Sequence, residues 1–156
     1  KAGVSMDDLI RHYLYTCEFN WTYLSPDDDA RGITVFDLKG VGVTDLTGEV
    51  LSFIRKCNGL CGAHYPEKAH QIFVINAPFL FGAIWKMVKP FIDPVTAKKI
   101  KILRGASAAK KEMLKSILEE HIPKRYGGTS KYDLGEAPDH LMFLKHHKLV
   151  SERENV

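Results

Sequence analysis

The tightest constraint on this chain is a continuous apolar run, Gln71-Ile72-Phe73-Val74-Ile75, that passes through Asn76-Ala77-Pro78 into a segment with almost no polar face. A run of that kind is a strand covered on both sides. The segment after it carries Phe79, Leu80, Phe81, Ala83, Ile84, Trp85, Met87, Val88, Phe91 and Ile92, with Gly82, Lys86, Lys89 and Asp93 as one narrow polar strip at helical spacing. Asn76 as a cap, a proline in the first turn and a stop before Pro94 predict one helix over this interval. Such a helix is apolar on two sides. It is buried between two core layers, or it sets one side on the core and the other on something apolar that is not protein, and the pattern leaves both open. A bilayer span is excluded, because the apolar run is too short and two lysines interrupt it.

The rest of the chain reads as strands alternating with helices. Ser5 and Asp8 form a capping-box pattern ahead of Leu9, Ile10, Tyr13, Leu14, Cys17 and Trp21 at helical spacing, closed by Ser25-Pro26-Asp27-Asp28-Asp29. Ile33 to Leu38 is a short β-branched strand ending at Gly40 and Gly42, with Thr34 and Phe36 on one face. Thr44 caps a second helix through Leu46, Val50, Leu51, Ile54 and Cys57, ended by a turn at Asn58-Gly59. Lys99 to Leu103 alternates with period two, a strand exposed on one side. Ser107 opens a last helix with Met113, Leu114, Ile117 and Leu118, closed by Pro123, and the stretch after Tyr132 is polar and weakly patterned. The order argues an α/β layered fold with a largely parallel sheet flanked by helices.

Composition narrows the function. At 156 residues, 45% hydrophobic and 26% charged, the chain suits one globular domain with a real core. A net charge of +3, with basic residues scattered outside Lys98, Lys99, Lys101 and Arg104, argues against a nucleic-acid partner. Cys17, Cys57 and Cys61 make an odd count without a metal-type pair, as expected for reduced cytosolic thiols, and no metal or cofactor is expected. No leader or lipidation motif is visible, and a chain opening at Lys1 reads as a piece of something longer.

Two places could carry chemistry. Gly40-Val41-Gly42-Val43-Thr44-Asp45 is a GxG after a strand, but Asp45 occupies the third glycine's place and would repel a phosphate, so a nucleotide-binding enzyme is a weak alternative to a plain turn. His140, His146 and His147 read as solvated residues. Asp93 can cap a short turn with Pro94 at its first position, setting Thr96 and Lys99 on one side. That hydroxyl and ammonium suit a phosphate, and Glu67 could accept from sugar-like hydroxyls. A capped helix start with a surface lysine and a turn glutamate fits the same residues.

Five segments in order resemble the CRAL-TRIO lipid-transfer family, in particular its yeast-type phosphatidylinositol-transfer branch. They are Val35-Phe36-Asp37-Leu38-Lys39-Gly40, Tyr65-Pro66-Glu67-Lys68, Ile75-Asn76-Ala77-Pro78-Phe79, Lys89 through Thr96, and Pro123 to Gly127-Gly128. The resemblance implies a lipid-binding domain over residues 1–132, lacking the family's first strand and N-terminal helical bundle, with 133–156 as a peripheral tail. It implies an apolar cavity for one phospholipid closed by a gate helix, with Phe79, Phe81, Ile84, Trp85, Val88 and Phe91 at gate and cavity. Glu67, Thr96 and Lys99 match headgroup contacts of phosphatidylinositol-binding members. Thr34 and Tyr13 match positions near the headgroup in members that exchange phosphatidylcholine, although the serine that accompanies Thr34 there is Gly32 here. The expected protein is a non-enzymatic, monomeric, cytoplasmic carrier that meets membranes transiently. Alternatives are a carrier of a sterol, tocopherol or retinoid, and a lipid-sensing module of a larger protein. Extracting two acyl chains of about 16 carbons, at about 0.8 kcal/mol per methylene, exposes on the order of 25 kcal/mol of apolar surface, which requires a closed apolar site.

Overall fold

The computed structural model describes residues 3–42, 45 and 48–154. They fall into two compact units, Lys1–Ala109 and Lys110–Val156.

The first unit opens with α1 (Met6–Phe19), capped by Ser5, whose hydroxyl accepts from the Asp8 amide at 3.1 Å and donates to the Asp8 carboxylate. The expected capping pair is present, with Asp8 returning to the hydroxyl. Trp21 lies beyond α1 in a π-helical turn, Asn20–Leu24. Strand β1 (Gly32–Asp37) comes next, then α2 (Gly48–His64) and β2 (Ala69–Ile75). Thr44 and Leu46, expected at the start of α2, lie outside the described residues.

The expected turn at Asn58-Gly59 is absent, because α2 runs through it to His64. The Asn58 side chain, which in a turn would bond its own backbone, instead donates to the Phe91 carbonyl at 2.6 Å. The greasy segment after β2 also departs from expectation. Asn76 is no cap: its backbone is left-handed (φ 52°) and its side-chain amide donates to Asp37 at 2.8 Å. The helix α3 is shorter, Phe81–Val88, and Pro90 tightens the next three residues into a 3-10 turn, Lys89–Phe91. Asp93 therefore leaves the polar strip. It caps α4 (Pro94–Lys98) as expected, accepting from the Val95 and Thr96 amides at 2.9 and 3.0 Å.

Strand β3 (Ile100–Ile102) completes a parallel sheet ordered β1-β2-β3. Register puts Thr34, Ile72 and Ile100 in one row and Phe36, Val74 and Ile102 in another on the same face. That face carries the core, in which Phe81, Ile84 and Val88 of α3 pack with Val74, Ala77, Ile100 and Ile102. Phe73 and Ile75, on the other face, are also buried, so β2 is covered on both sides as its composition requires. β1 and β3 are the outer strands, and on β1 Val35 and Phe36 are exposed.

The helix α5 (Ala106–Met113) spans the boundary between the units and ends earlier than expected. Leu114, Ile117 and Leu118 are not helical, and 3-10 turns occupy Glu119–His121 and Lys124–Tyr126. The cause is a chain reversal: the amides of Thr129 and Ser130 donate to the carbonyls of Glu119 and Ile122, bonds that a continuing helix would have used internally. Gly128 passes so close that a Cβ there would lie 2.0 Å from the Ile122 carbonyl oxygen. The weakly patterned tail contains a helix, α6 (Pro138–Glu154), started by Pro138 and built mostly from good helix formers. No helix among the described residues is long and apolar enough to cross a membrane.

Candidate functional site

A polar corner forms where β2 begins. The Lys68 ammonium holds the carbonyls of Asp27 and Asp28 at 3.2 and 2.8 Å and lies 5.0 Å above the Trp21 ring. Its own carbonyl accepts from the Gly32 amide at 2.8 Å, tying the start of β1 to the start of β2. Glu67 stands beside it with a left-handed backbone (φ 58°), a conformation that costs a non-glycine residue on the order of 1–3 kcal/mol. Its carboxylate is exposed and 3.8 Å from Arg31. Asp28, Asp29, Arg31, Glu67 and Lys68 line a polar hollow of about 100 Å³ here.

Lys99 reaches the same end of the sheet from α4 and donates to the Ala69 carbonyl at 2.7 Å. The Gln71 amide donates to the Lys99 carbonyl, so the lysine is held at backbone and side chain. Thr96 sits one helical turn before it, partly exposed. Lys99 thus touches the start of the strand that Glu67 precedes, and Thr96 precedes Lys99 on the capped turn. Arg31 and Lys68 are corner residues that sequence reasoning did not assign; Lys68 was visible as the last residue of the Tyr65-Pro66-Glu67-Lys68 motif.

Thr34 and Tyr13 belong to other surroundings. Thr34 is exposed in the middle of β1, paired with Ile72. Gly32, two residues earlier, lies under the Trp21 indole: a Cβ there would sit 3.2 Å from the ring, so a serine would have to push the indole aside. Tyr13 faces α2, its ring edge-on to Phe53 at 6.2 Å and its hydroxyl accepting from the Cys61 thiol at 3.4 Å. Burial pushes the Tyr13 phenol well above its usual range.

The apolar candidates divide by side. Phe81, Ile84 and Val88 face the sheet and are buried; Trp85 is half-buried. Phe79 is 83% exposed, and Leu80, Met87 and Phe91 are exposed with it, flanked by Lys86 and Lys89. The segments flanking α3 are clasped. Arg104 donates to the Phe79 carbonyl at 3.0 Å and lies 5.5 Å from that ring, while Arg55 stacks 4.0 Å over Phe91, whose carbonyl holds Asn58. These clasping residues carry no sequence signal, because each partner is distant along the chain.

The GxG turn is filled from within. The Gly42 amide donates to the Asp45 carboxylate at 2.7 Å and the Lys39 amide to Asp37 at 2.9 Å, so side-chain acids occupy amides a phosphate would need.

Known proteins resemble this chain over most of its length. It is 36% identical over 127 residues to the SEC14 cytosolic factor of Kluyveromyces lactis, covering 81% of this chain and 40% of that protein. It is 33% identical over 99 residues to the phosphatidylinositol/phosphatidylcholine transfer protein SFH12 of Arabidopsis thaliana, covering 64% of this chain and 18% of that one. The chain thus spans well under half the length of these relatives. The crystal structure of Sfh5 superposes with a TM-score of 0.68 at 21% identity, over 93% of this chain and 52% of that one, and shares the fold. The CRAL/TRIO domain model matches residues 1–128, and the chain belongs to that family.

Proposed function

We propose that this chain is the lipid-binding part of a cytosolic carrier that holds one phospholipid, phosphatidylinositol, and moves it between membranes without making or breaking a bond. What supports this reading is α3 and its flanking turns, which pack Phe81, Ile84 and Val88 on the sheet while leaving Met87 on the helix and Phe79 and Leu80 just before it exposed, with clasps at the flanking Phe79 and Phe91. A core helix has no use for the second apolar side. A gate over acyl chains does.

The seam between α3 and the sheet is closed in this structure. Opening it exposes three core side chains worth about 1.5–3 kcal/mol each, far below the on-the-order-of-25 kcal/mol that two desolvated acyl chains return on entering. Contacts of this kind are non-directional, so the helix can move without breaking a hydrogen-bond ladder to the sheet. Phe79, Leu80 and Met87 would enter the membrane surface first, with Lys86 and Lys89 among anionic headgroups.

The headgroup belongs at the polar corner. An ammonium has three donors, and the Ala69 carbonyl uses one of those on Lys99, leaving two for a phosphate that Thr96 can also meet. Glu67 accepts from inositol hydroxyls. In the full-length protein, Thr96→Ala and Lys99→Ala should each lower phosphatidylinositol transfer between vesicles at least tenfold with the fold intact by circular dichroism. Transfer at the wild-type rate in both variants would overturn the assignment.

A further inference from the structure

Glu67 is pinned in its left-handed backbone from both sides. Tyr65, before it in the chain, donates its hydroxyl to the Glu18 carboxylate on α1. The Tyr65 ring is half-buried, and burial together with the Glu18 acceptor pushes its phenol above the usual range, so the hydroxyl keeps its proton and stays a donor. The Tyr65 amide donates to the Cys61 carbonyl at 2.8 Å, which ties the backbone to the end of α2. On the other side, Lys68 is held at its ammonium by the Asp27 and Asp28 carbonyls and at its carbonyl by the Gly32 amide. The turn that supplies those carbonyls is itself ordered: the Asp27 carboxylate accepts from the Asp29 amide at 2.9 Å and the Asp27 carbonyl from the Ala30 amide at 3.0 Å.

Little freedom remains between the two anchors. The Pro66 ring fixes one of the intervening torsions. Glu67 closes the path, at φ 58°. A strained conformation of this kind persists only where its surroundings over-determine it. The ion pair of Glu67 with Arg31, 3.8 Å long and exposed on both sides, is too weak to impose it. The anchors at Tyr65 and Lys68 are directed bonds to α1 and to the Asp27–Ala30 turn, and they can.

We infer that Glu18 and Tyr65 are positioning residues for headgroup selection: their hydrogen bond holds the Glu67 carboxylate at the polar hollow, where it accepts from the hydroxyls of a polyhydroxylated headgroup. The inference rests on the phosphatidylinositol reading and adds to it the residues that make Glu67 selective. Glu18 and Tyr65 do not line the hollow, so both act through Glu67. Thr96 and Lys99 would meet a phosphate, which every phospholipid carries, and Lys99 is held independently by the Ala69 carbonyl. Releasing Tyr65 therefore lets Glu67 relax and removes discrimination between headgroups, while the phosphate contacts stay.

The test loads the full-length protein from phosphatidylcholine vesicles containing equal amounts of phosphatidylinositol and phosphatidic acid, and reads the bound lipids by native mass spectrometry. Both lipids offer a phosphate; only the first offers ring hydroxyls. Glu67→Ala gives the reference for lost selection. Tyr65→Phe, which removes one oxygen and keeps the ring, and Glu18→Ala should each lower the ratio of phosphatidylinositol to phosphatidic acid about fivefold, the loss of one net hydrogen bond. Glu18→Gln, which keeps an acceptor, should hold the wild-type ratio, and Tyr65→Phe combined with Glu18→Ala should be no worse than either alone. A wild-type ratio in Tyr65→Phe and Glu18→Ala where Glu67→Ala loses it, or equal loss of both lipids, would overturn the positioning role and leave the headgroup reading standing. A wild-type ratio in Glu67→Ala would overturn the headgroup assignment, and this inference with it.

Discussion

The polar corner and α3 are held by opposite kinds of force. At the corner each group has a directed partner: Lys68 on two carbonyls, Lys99 on Ala69, Glu67 near Arg31. Along α3 the inner side chains are held by burial, and the directed contacts flank the helix at Phe79 and Phe91. Directed bonds fix position and so suit recognition of one headgroup. Burial fixes only an amount of area, which a bound acyl chain can replace, and so suits a part that moves.

Substitutions can break this contrast in order of size. Ile84→Ala should cost about 2–5 kcal/mol in denaturant unfolding, since Ile84 is 3% exposed and the site cannot easily collapse onto the sheet. Lys99→Met keeps the packing stem but leaves the Ala69 carbonyl without its partner, and should cost about 1–3 kcal/mol, with transfer falling further than stability accounts for. Removing an end clasp by Arg55→Ala should cost about 0.5–1 kcal/mol and speed lipid exchange measured by stopped-flow dequenching. Leu80→Ala or Met87→Ala, exposed where Ile84 is buried, should cost within about 0.5 kcal/mol yet lower lipid loading; losses equal to that of Ile84→Ala would make α3 an ordinary core helix. The smallest effect expected is Arg31→Ala, which removes an exposed pair 3.8 Å apart and should leave the melting temperature unmoved.

What was legible in the sequence depended on how far away the partner lay. Ser5 and Asp93 were readable as caps because their acceptors meet amides two or three residues on. The strands and their parallel order were readable from β-branched runs separated by helices. Asn76 and Asn58 were misread for one reason: each amide is taken by a partner 39 or 33 residues away, so local turn and cap propensity lost to a tertiary bond. Helix α3 is shorter than its apolar pattern predicts because Pro90 lacks an amide hydrogen and its ring crowds the carbonyl one turn earlier, which an apolar periodicity does not register. The early end of α5 was hidden in Gly128-Thr129-Ser130, whose return over Glu119 and Ile122 has no periodic signature. At the site, the residue types of the corner were visible, whereas Arg31, Arg55 and Arg104 were indistinguishable from surface charge until their partners were placed.

The most direct measurement is native mass spectrometry, with lipid identification, of the full-length protein purified from cells. The gate-and-corner reading predicts one phosphatidylinositol per chain, lost in Thr96→Ala. A nucleotide, a sterol, or a chain that carries no lipid under conditions that preserve such complexes would contradict it.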